Sequence, residues 1–287
     1  MTKEGLFDKL KSAKLESNFY EIEPYLRNSI RLYLEPSHEY KIKIGHSKMG
    51  GQPDLPPNVL WPIYSKSSNE SGGSYIDYPL SFIAQINLFE LAQFDIDNLL
   101  PNKGLLYFFY SAENQPWGGD SKEKEEFKMI YYDGNIEQLA RADYPMSLSE
   151  NGRFRSSILT GKNVVSLPND FISSNDSRLE SIYDLVFDDN LSNKLLGYPF
   201  EIQGEMELDC ELTSKELVYK NGVLTYTKSK ANEYRSEAKN WQLLLQVDSN
   251  EDCDMMWGDN GLLYFWIKLQ DLADKKFENG WFFLQCY

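Results

Sequence analysis

Apolar residues in this chain fall into short unbroken runs rather than long helical stripes. Residues 80–87 (LSFIAQIN), 104–110 (GLLYFFY), 127–133 (FKMIYYD), 243–247 (LLLQV), 262–267 (LLYFWI) and 281–286 (WFFLQC) are such runs, set off mostly by Gly, Pro or polar residues. Runs of this length read as strands, and the near-continuous apolarity of all but 127–133 predicts that both of their faces are covered. Leu6, Leu10 and Ala13 recur about one helical turn apart, predicting an amphipathic helix over 3–19. Ile30, Leu32 and Leu34 alternate with polar or amphipathic residues, and so do Tyr40, Ile42 and Ile44, predicting two strands about the turn Pro36-Ser37-His38-Glu39. A short helical turn is expected at 88–94. Over 176–187, Leu179, Ile182, Tyr183 and Val186 stand at helical spacing, with Asp176 or Ser177 as N-cap. Met206, Cys210 and Leu217 predict a helix over 206–220 ended by Asn221-Gly222. The same Asn-Gly would also close a hairpin between 217–219 and 223–226, but the helix is preferred.

Between these elements, residues 45–62 (GHSKMGGQPDLPPNVLWP) are too rich in Gly and Pro for a helix interior or a central strand. They read as an ordered loop with Leu55 and Trp61 tucked inward. Residues 65–74 read as a flexible Ser/Gly/Asn tip. The loop after 110 is exposed and charged, except that Trp117 in Pro116-Trp117-Gly118-Gly119 is expected to find a packing surface. Residues 134–175 carry no regular pattern. Asp188-Asp189 reads as a solvated helix end.

Two parts of the chain match. SFIAQIN at 81–87 resembles LLLQVD at 243–248, and GLLYFF at 104–109 resembles GLLYFW at 261–266. Gln85 and Gln246 lie 161 residues apart, and Gly104 and Gly261 lie 157 apart. Each match follows a Gly/Pro loop. Self-similarity at a nearly constant offset predicts an α+β fold of two related sheet-containing halves from an internal duplication, packed as one compact unit over 1–287. Its expected parts are an N-terminal helix and lead-in strand (1–40), a first repeat (41–133), a connecting segment (134–193) and a second repeat (194–287). Gln85 and Gln246 are expected to be buried amides that satisfy backbone groups near a strand end.

Composition narrows the function classes. The 287 residues carry a net charge of −15, which disfavours binding a phosphate backbone and suits a basic partner. Tyr (19), Phe (16) and Trp (6) are plentiful, as suits a β-rich interior or aromatic surfaces. Cys210, Cys253 and Cys286 are too few and too widely spaced for a disulfide framework or a zinc site. The N-terminus has no apolar h-region, and no run is long enough to span a bilayer, so a cytoplasmic location is expected.

Candidate chemistry is sparse. In the acidic stretch 248–259, Asp248, Asn250, Asp252, Asp254 and Asp259 approximate the ligand spacing of a calcium loop. The pattern departs from it at Cys253, where Gly is needed, at Asp259, where a bidentate Glu is needed, and in the strand-like LLLQV before it. The Met255-Met256-Trp257 run favours a loop anchored to the core with its acids splayed into water. His46, Ser47 and Asp54 nominally offer a Ser-His-Asp set, but triad members converge from separate segments. No phosphate loop, dinucleotide fingerprint, nucleophile elbow or metalloprotease motif occurs, so no catalytic residue and no cofactor are assigned.

The segments GHSKMGGQPDLPPNVLWP, LSFIAQINLFEL, LPNKGLLYFFY, PWGGD, MIYYDG, LGYPFEIQGEM, LLLQVDSNEDCDMMWGDNGLLYFWI and FFLQCY, in that order, resemble the YwqG-like bacterial proteins from about residue 45 to 287. The resemblance implies a soluble α+β fold with an internal duplication and no established activity. Some members stand near secreted-toxin gene clusters, which implies an accessory or immunity-like role. Two functions are therefore expected. The first is a non-enzymatic protein with a protein partner, and with no nucleic-acid or membrane target. The alternative is a small-ligand or enzymatic site in a groove between the halves, lined by Gly50, Gly51, Trp61, Gln85, Trp117, Gln246, Trp257 and Asp259.

Overall fold

A computed structural model describes residues 1–67, 75–169, 177–186, 193–217, 219–220, 223–224 and 228–287. Ten strands form one antiparallel sheet: β1 (Arg27–Pro36), β2 (Lys48–Met49), β3 (Ser81–Asn87), β4 (Leu105–Tyr110), β5 (Phe127–Tyr132), β6 (Ser157–Ser166), β7 (Lys194–Leu195), β8 (Trp241–Asp248), β9 (Leu262–Lys268) and β10 (Trp281–Gln285). Their spatial order is β5-β4-β3-β2-β6-β1-β7-β8-β9-β10. β1 and β6 pair along their whole length at the centre, Arg27 opposite Ser166 and Pro36 opposite Ser157. A short strand flanks each, and a three-strand meander follows on each side. Both meanders carry a register shift in their first strand, between Phe82 and Ala84 and between Leu243 and Leu245.

The sheet curls until its two ends meet, giving an α+β protein built on a near-barrel sheet. Phe108 of β4 packs on Phe265 of β9 with ring centroids 5.0 Å apart, and Phe127 packs on Phe282 at 4.8 Å. One apolar cluster runs through both meanders. β3, β4 and β10 are buried at every position, because the other face is covered as well. Leu55, Tyr64 and Leu139 cover β3 and β4, while the helices Glu207–Ser214 and Lys228–Ala238 contribute Leu208, Leu212, Ala231 and Ala238 to a smaller cluster. The helices Lys3–Ser12 and Glu16–Ile22 bury Leu6, Leu10, Phe19 and Ile22 against the end of β6. No helix among the described residues is long and apolar enough to cross a membrane.

Several expectations are corrected. The N-terminal helix is two helices, because Lys14 takes a left-handed φ of 61°. Ala13 caps the first of them and is exposed. No strand forms at Tyr40, Ile42 and Ile44. A 3₁₀ turn (Glu39–Lys41) stands there, and the Arg141 guanidinium draws the Glu39 and Ile42 carbonyls away from any ladder. The supposedly irregular 134–175 holds β6, half of the central pair. The helix expected over 206–220 ends at Ser214, and Tyr219–Lys220 pairs with Val223–Leu224, the hairpin alternative. Trp117 is 49% exposed, and its segment docks through the backbone: Leu284 N–H of the edge strand β10 donates to Trp117 O. Residues 65–67 belong to a strand pair, Ile63–Ser67 with Tyr75–Pro79. Residues 68–74, Asp176, Asp188-Asp189 and Asn221-Gly222 lie outside the described residues.

Candidate functional site: a buried ion cluster beneath an open groove

β2 ends in Gly50-Gly51, whose φ angles of 65° and 71° turn the chain back on itself. Added Cβ atoms would overlap the Arg155 carbonyl at Gly50 and the Glu39 carboxylate at Gly51, so glycine is required at both. The turn delivers Asp54, which pairs with Arg141 in a two-residue ladder, Asp54–Leu55 against Ala140–Arg141. Four charged side chains converge there. Lys48 Nζ, fully buried, lies 2.9 Å from Glu39 Oε1 and 3.3 Å from Asp54 Oδ1, and also donates to Gln52 O. Arg141 Nε donates to Asp54 Oδ1 at 2.5 Å, while Nη1 pairs with Glu39 Oε1. The second Asp54 oxygen accepts from Gly45 N–H and from Gln85 Nε2, each at 2.9 Å.

The cluster holds two cations and two carboxylates, and every Lys48 donor has an acceptor. Burial pushes the Lys48 amine down from its ordinary range, against the pull of Asp54 and then Glu39. Burial alone would raise the Asp54 carboxyl. Lys48, then bonds from Arg141, Gln85 and Gly45 N–H, instead hold it below its ordinary value. Glu39 is the member that reaches the surface, with 24% of its side chain exposed. It lies in a groove of about 720 Å³ whose walls include Glu35, His38, Gln52, Tyr144, Arg155 and Asp252. Burial, then the Glu39 charge, pushes the Tyr144 hydroxyl up to about 12.

The second meander carries the same scaffold without the same charges. Lys194 stands opposite Gln246 as Lys48 stands opposite Gln85. Gln85 Oε1 accepts from Asp54 N–H at 2.8 Å, and Gln246 Oε1 accepts from Phe200 N–H at 2.8 Å. Tyr107 OH donates to Asp54 O at 2.6 Å, and Tyr264 OH donates to Phe200 O at 2.5 Å. Leu196 and Gly197 take left-handed φ angles of 61° and 75°, as Gly50 and Gly51 do. The structural role expected for the two glutamines is therefore the one they play. Asp54, in contrast, meets Phe200 as its counterpart.

The other sequence candidates do not gather in one groove. The junction between the meanders is filled by Phe108, Phe265, Phe127 and Phe282. Trp257 is fully buried, packed edge-on against Tyr110 and Phe154. Trp61 packs on Phe109 and donates to Leu80 O, Trp117 stands beside β10, and Asp259 is exposed. Gly50 and Gly51 do form the turn, and Gln85 braces it. His46, Ser47 and Asp54 go separate ways: His46 Nδ1 lies 2.9 Å from Glu90 Oε1, and Ser47 Oγ accepts from Asn87 N–H. Glu39, Lys48 and Arg141 were not singled out from the sequence.

The acidic loop is held by its own turn. Asn250 Oδ1 accepts from Cys253 N–H, and Asp254 pairs with Arg155 at 2.6 Å. Cys253, Met255 and Trp257 anchor it, whereas Met256 is exposed. Among the described residues, no three His, Cys, Asp or Glu side chains are placed to hold a metal ion. Burial pushes the Asp248 carboxyl up to about 6, although a bond from Ser249 N–H opposes this. A folded-state value raised above the ordinary 3.8 favours folding at low pH, and that advantage is lost as pH rises through about 6. Asp248→Asn is therefore expected to match the wild type at pH 4 and to be about 1 kcal/mol more stable at pH 8, after discounting for partial exposure. Denaturant unfolding at pH 4, 6 and 8 measures this, and a pH-independent difference would show a fully hydrated carboxylate.

The family described as a domain of unknown function (DUF1963) matches residues 47–286, and the chain belongs to it. The matched span includes Lys48, Asp54, Gln85 and Arg141 and excludes Glu39. No curated protein matches the chain.

Proposed function

We propose that this is a non-enzymatic binding protein of the cytoplasm, YwqG-like in kind, which engages a partner protein in the groove over Glu39. The observation that carries this reading is the cluster beneath the groove. Its ionisable groups are matched against one another, so they hold the turn and the groove wall in shape instead of presenting a free base or nucleophile. The net charge of −15 favours a partner with a basic surface around the contact. A small ligand is the second reading, favoured because about 720 Å³ lies within the range of such sites. We further infer that the two halves descend from one duplicated unit, with β1 and β6 as the equivalent first strands. The paired Lys, Gln and Tyr interactions support it.

Co-purification from the source cell, at low and high salt, tests the partner reading. Glu35→Lys with His38→Ala alters two exposed rim residues outside the ion cluster and puts a positive charge against a basic partner. The wild type is expected to retain a specific protein that the double variant loses. No specific protein at either salt, or equal retention by both, would overturn the reading.

A further inference from the structure

The Glu39 carboxylate is held as a bound ligand would be held. Lys48 Nζ and Arg141 Nη1 take Oε1, and Gln52 N–H donates to Oε2 at 3.2 Å. The missing side chain of Gly51 makes the space, because a Cβ there would overlap Oε2. The donors are fixed by the fold: Lys48 sits in β2, Arg141 is tied to Asp54 through a ladder, and Gln52 follows the Gly-Gly turn. The acceptor comes from a three-residue 3₁₀ turn outside the sheet, whose neighbour Tyr40 is 80% exposed.

The two carboxylates differ in how firmly they are placed. Asp54 is fully buried, with Lys48, Arg141, Gln85 and Gly45 N–H on its two oxygens. It is the permanent counterion. Glu39 lines the groove with part of its side chain exposed, and its carboxylate has fewer donors than that of Asp54. With Glu39 withdrawn, Lys48 and Arg141 would face Asp54 alone, leaving one uncompensated positive charge largely shielded from water. Such a charge is costly, and a single anion with two oxygens would satisfy it. The groove opens from that point, so an incoming molecule has room. The counterpart position in the second half is Phe200, so the scaffold is built there without Asp54.

We propose that Lys48, Arg141 and the Gly51-Gln52 turn form a carboxylate-binding site, which Glu39 occupies until a ligand carboxylate displaces it. The site rests on the binding reading above and deepens it: the ligand is a small organic acid or a peptide carrying a free carboxylate. Occupancy by Glu39 weakens binding in the wild type, because the ligand must first displace an intramolecular competitor.

Glu39→Ala empties the cradle, and thermal unfolding then reads its occupancy. Acetate, compared with chloride at equal ionic strength, is expected to raise Tm of Glu39→Ala by several degrees and saturably. Half-saturation is expected at least tenfold lower than in the wild type, and adding Arg141→Gln abolishes the effect. An acetate response no greater than that to chloride overturns the proposal. Should Glu39→Ala fail to fold, the wild type decides. The backbone N–H resonance of Gln52 and the guanidinium resonance of Arg141 are expected to shift on saturation with acetate and not with chloride. Absence of that shift overturns the proposal. Diglycine and its C-terminal amide separate the two ligand sources. Tighter binding of diglycine than of acetate, lost in the amide, assigns the site to a peptide terminus, whereas equal binding of diglycine and acetate assigns it to small acids. Loss of a partner in the rim variant, without any anion response in Glu39→Ala, defeats this site but not the binding reading. The converse result spares the site and defeats the partner reading.

Discussion

Asp54→Ala is expected to destabilise the protein by about 3–5 kcal/mol, measured by denaturant unfolding at pH 7. The substitution removes the carboxylate shared by Lys48 and Arg141, and Lys48 is fully buried. Glu39 alone would then face two cations, and the Gly45 N–H and Gln85 Nε2 donors aimed at Asp54 would lose their acceptor. An uncompensated buried charge and orphaned buried donors both act in the same direction. The effect depends on pH with a definite sign. Asp54 titrates below its ordinary 3.8 in the folded state, so its contribution is full above that value and is lost as pH falls through the folded one. Lys48, lowered from 10.5, acts at the alkaline end. There the unfolded chain holds a proton that the folded protein gives up, so stability gains as pH rises through the folded value. The gap between wild type and Asp54→Asn should therefore close in acid, as pH falls through the folded-state value of Asp54. A cost for Asp54→Ala below about 1 kcal/mol would show that water screens the cluster and that the turn stands without it.

The meander strands other than β5 were legible in the sequence because they are buried along all or nearly all of their length, which leaves few polar residues to blur the pattern. β6 was not. Its middle reads Thr160, Gly161, Lys162, Asn163, and at Gly161 the space for a side chain is taken by Leu91, Ile30 and Phe94. Its place at the centre is fixed by ten pairings to β1, a relation between distant segments that no local pattern carries. The site divides in the same way. Gln85 and Gln246 were recognisable because the repeat marked them, and their role as backbone acceptors follows from an amide in an apolar strand. Lys48 carried a local signal, a lysine next to Met49 and a double glycine. Glu39 and Arg141 carried none, since 102 residues separate them and only the Arg141 guanidinium reaches across, from a two-residue ladder with Asp54–Leu55.

The near-barrel fold makes its own demand, at the place where the two meanders meet. Phe265→Ala is expected to cost about 3–5 kcal/mol and to leave a single unfolding transition. Phe265 is fully buried, with Phe108 at 5.0 Å and Phe127 at 6.4 Å across the junction. Its neighbours sit on strands hydrogen-bonded on both sides or held at the closing edge, so they can shift little to fill the space. The cost therefore combines lost burial with a residual cavity. Phe108→Ala opens the same space from the other side. The two changes share one cavity, so the double variant should lose less than the sum of the singles. Because one apolar cluster spans both meanders, loosening β9 should loosen β4 with it. Calorimetry together with near-ultraviolet circular dichroism checks this. A transition that splits in two, with one step unmoved by Phe265→Ala, would mean that each meander keeps a core of its own and that the closed sheet is held only at its central β1–β6 pair.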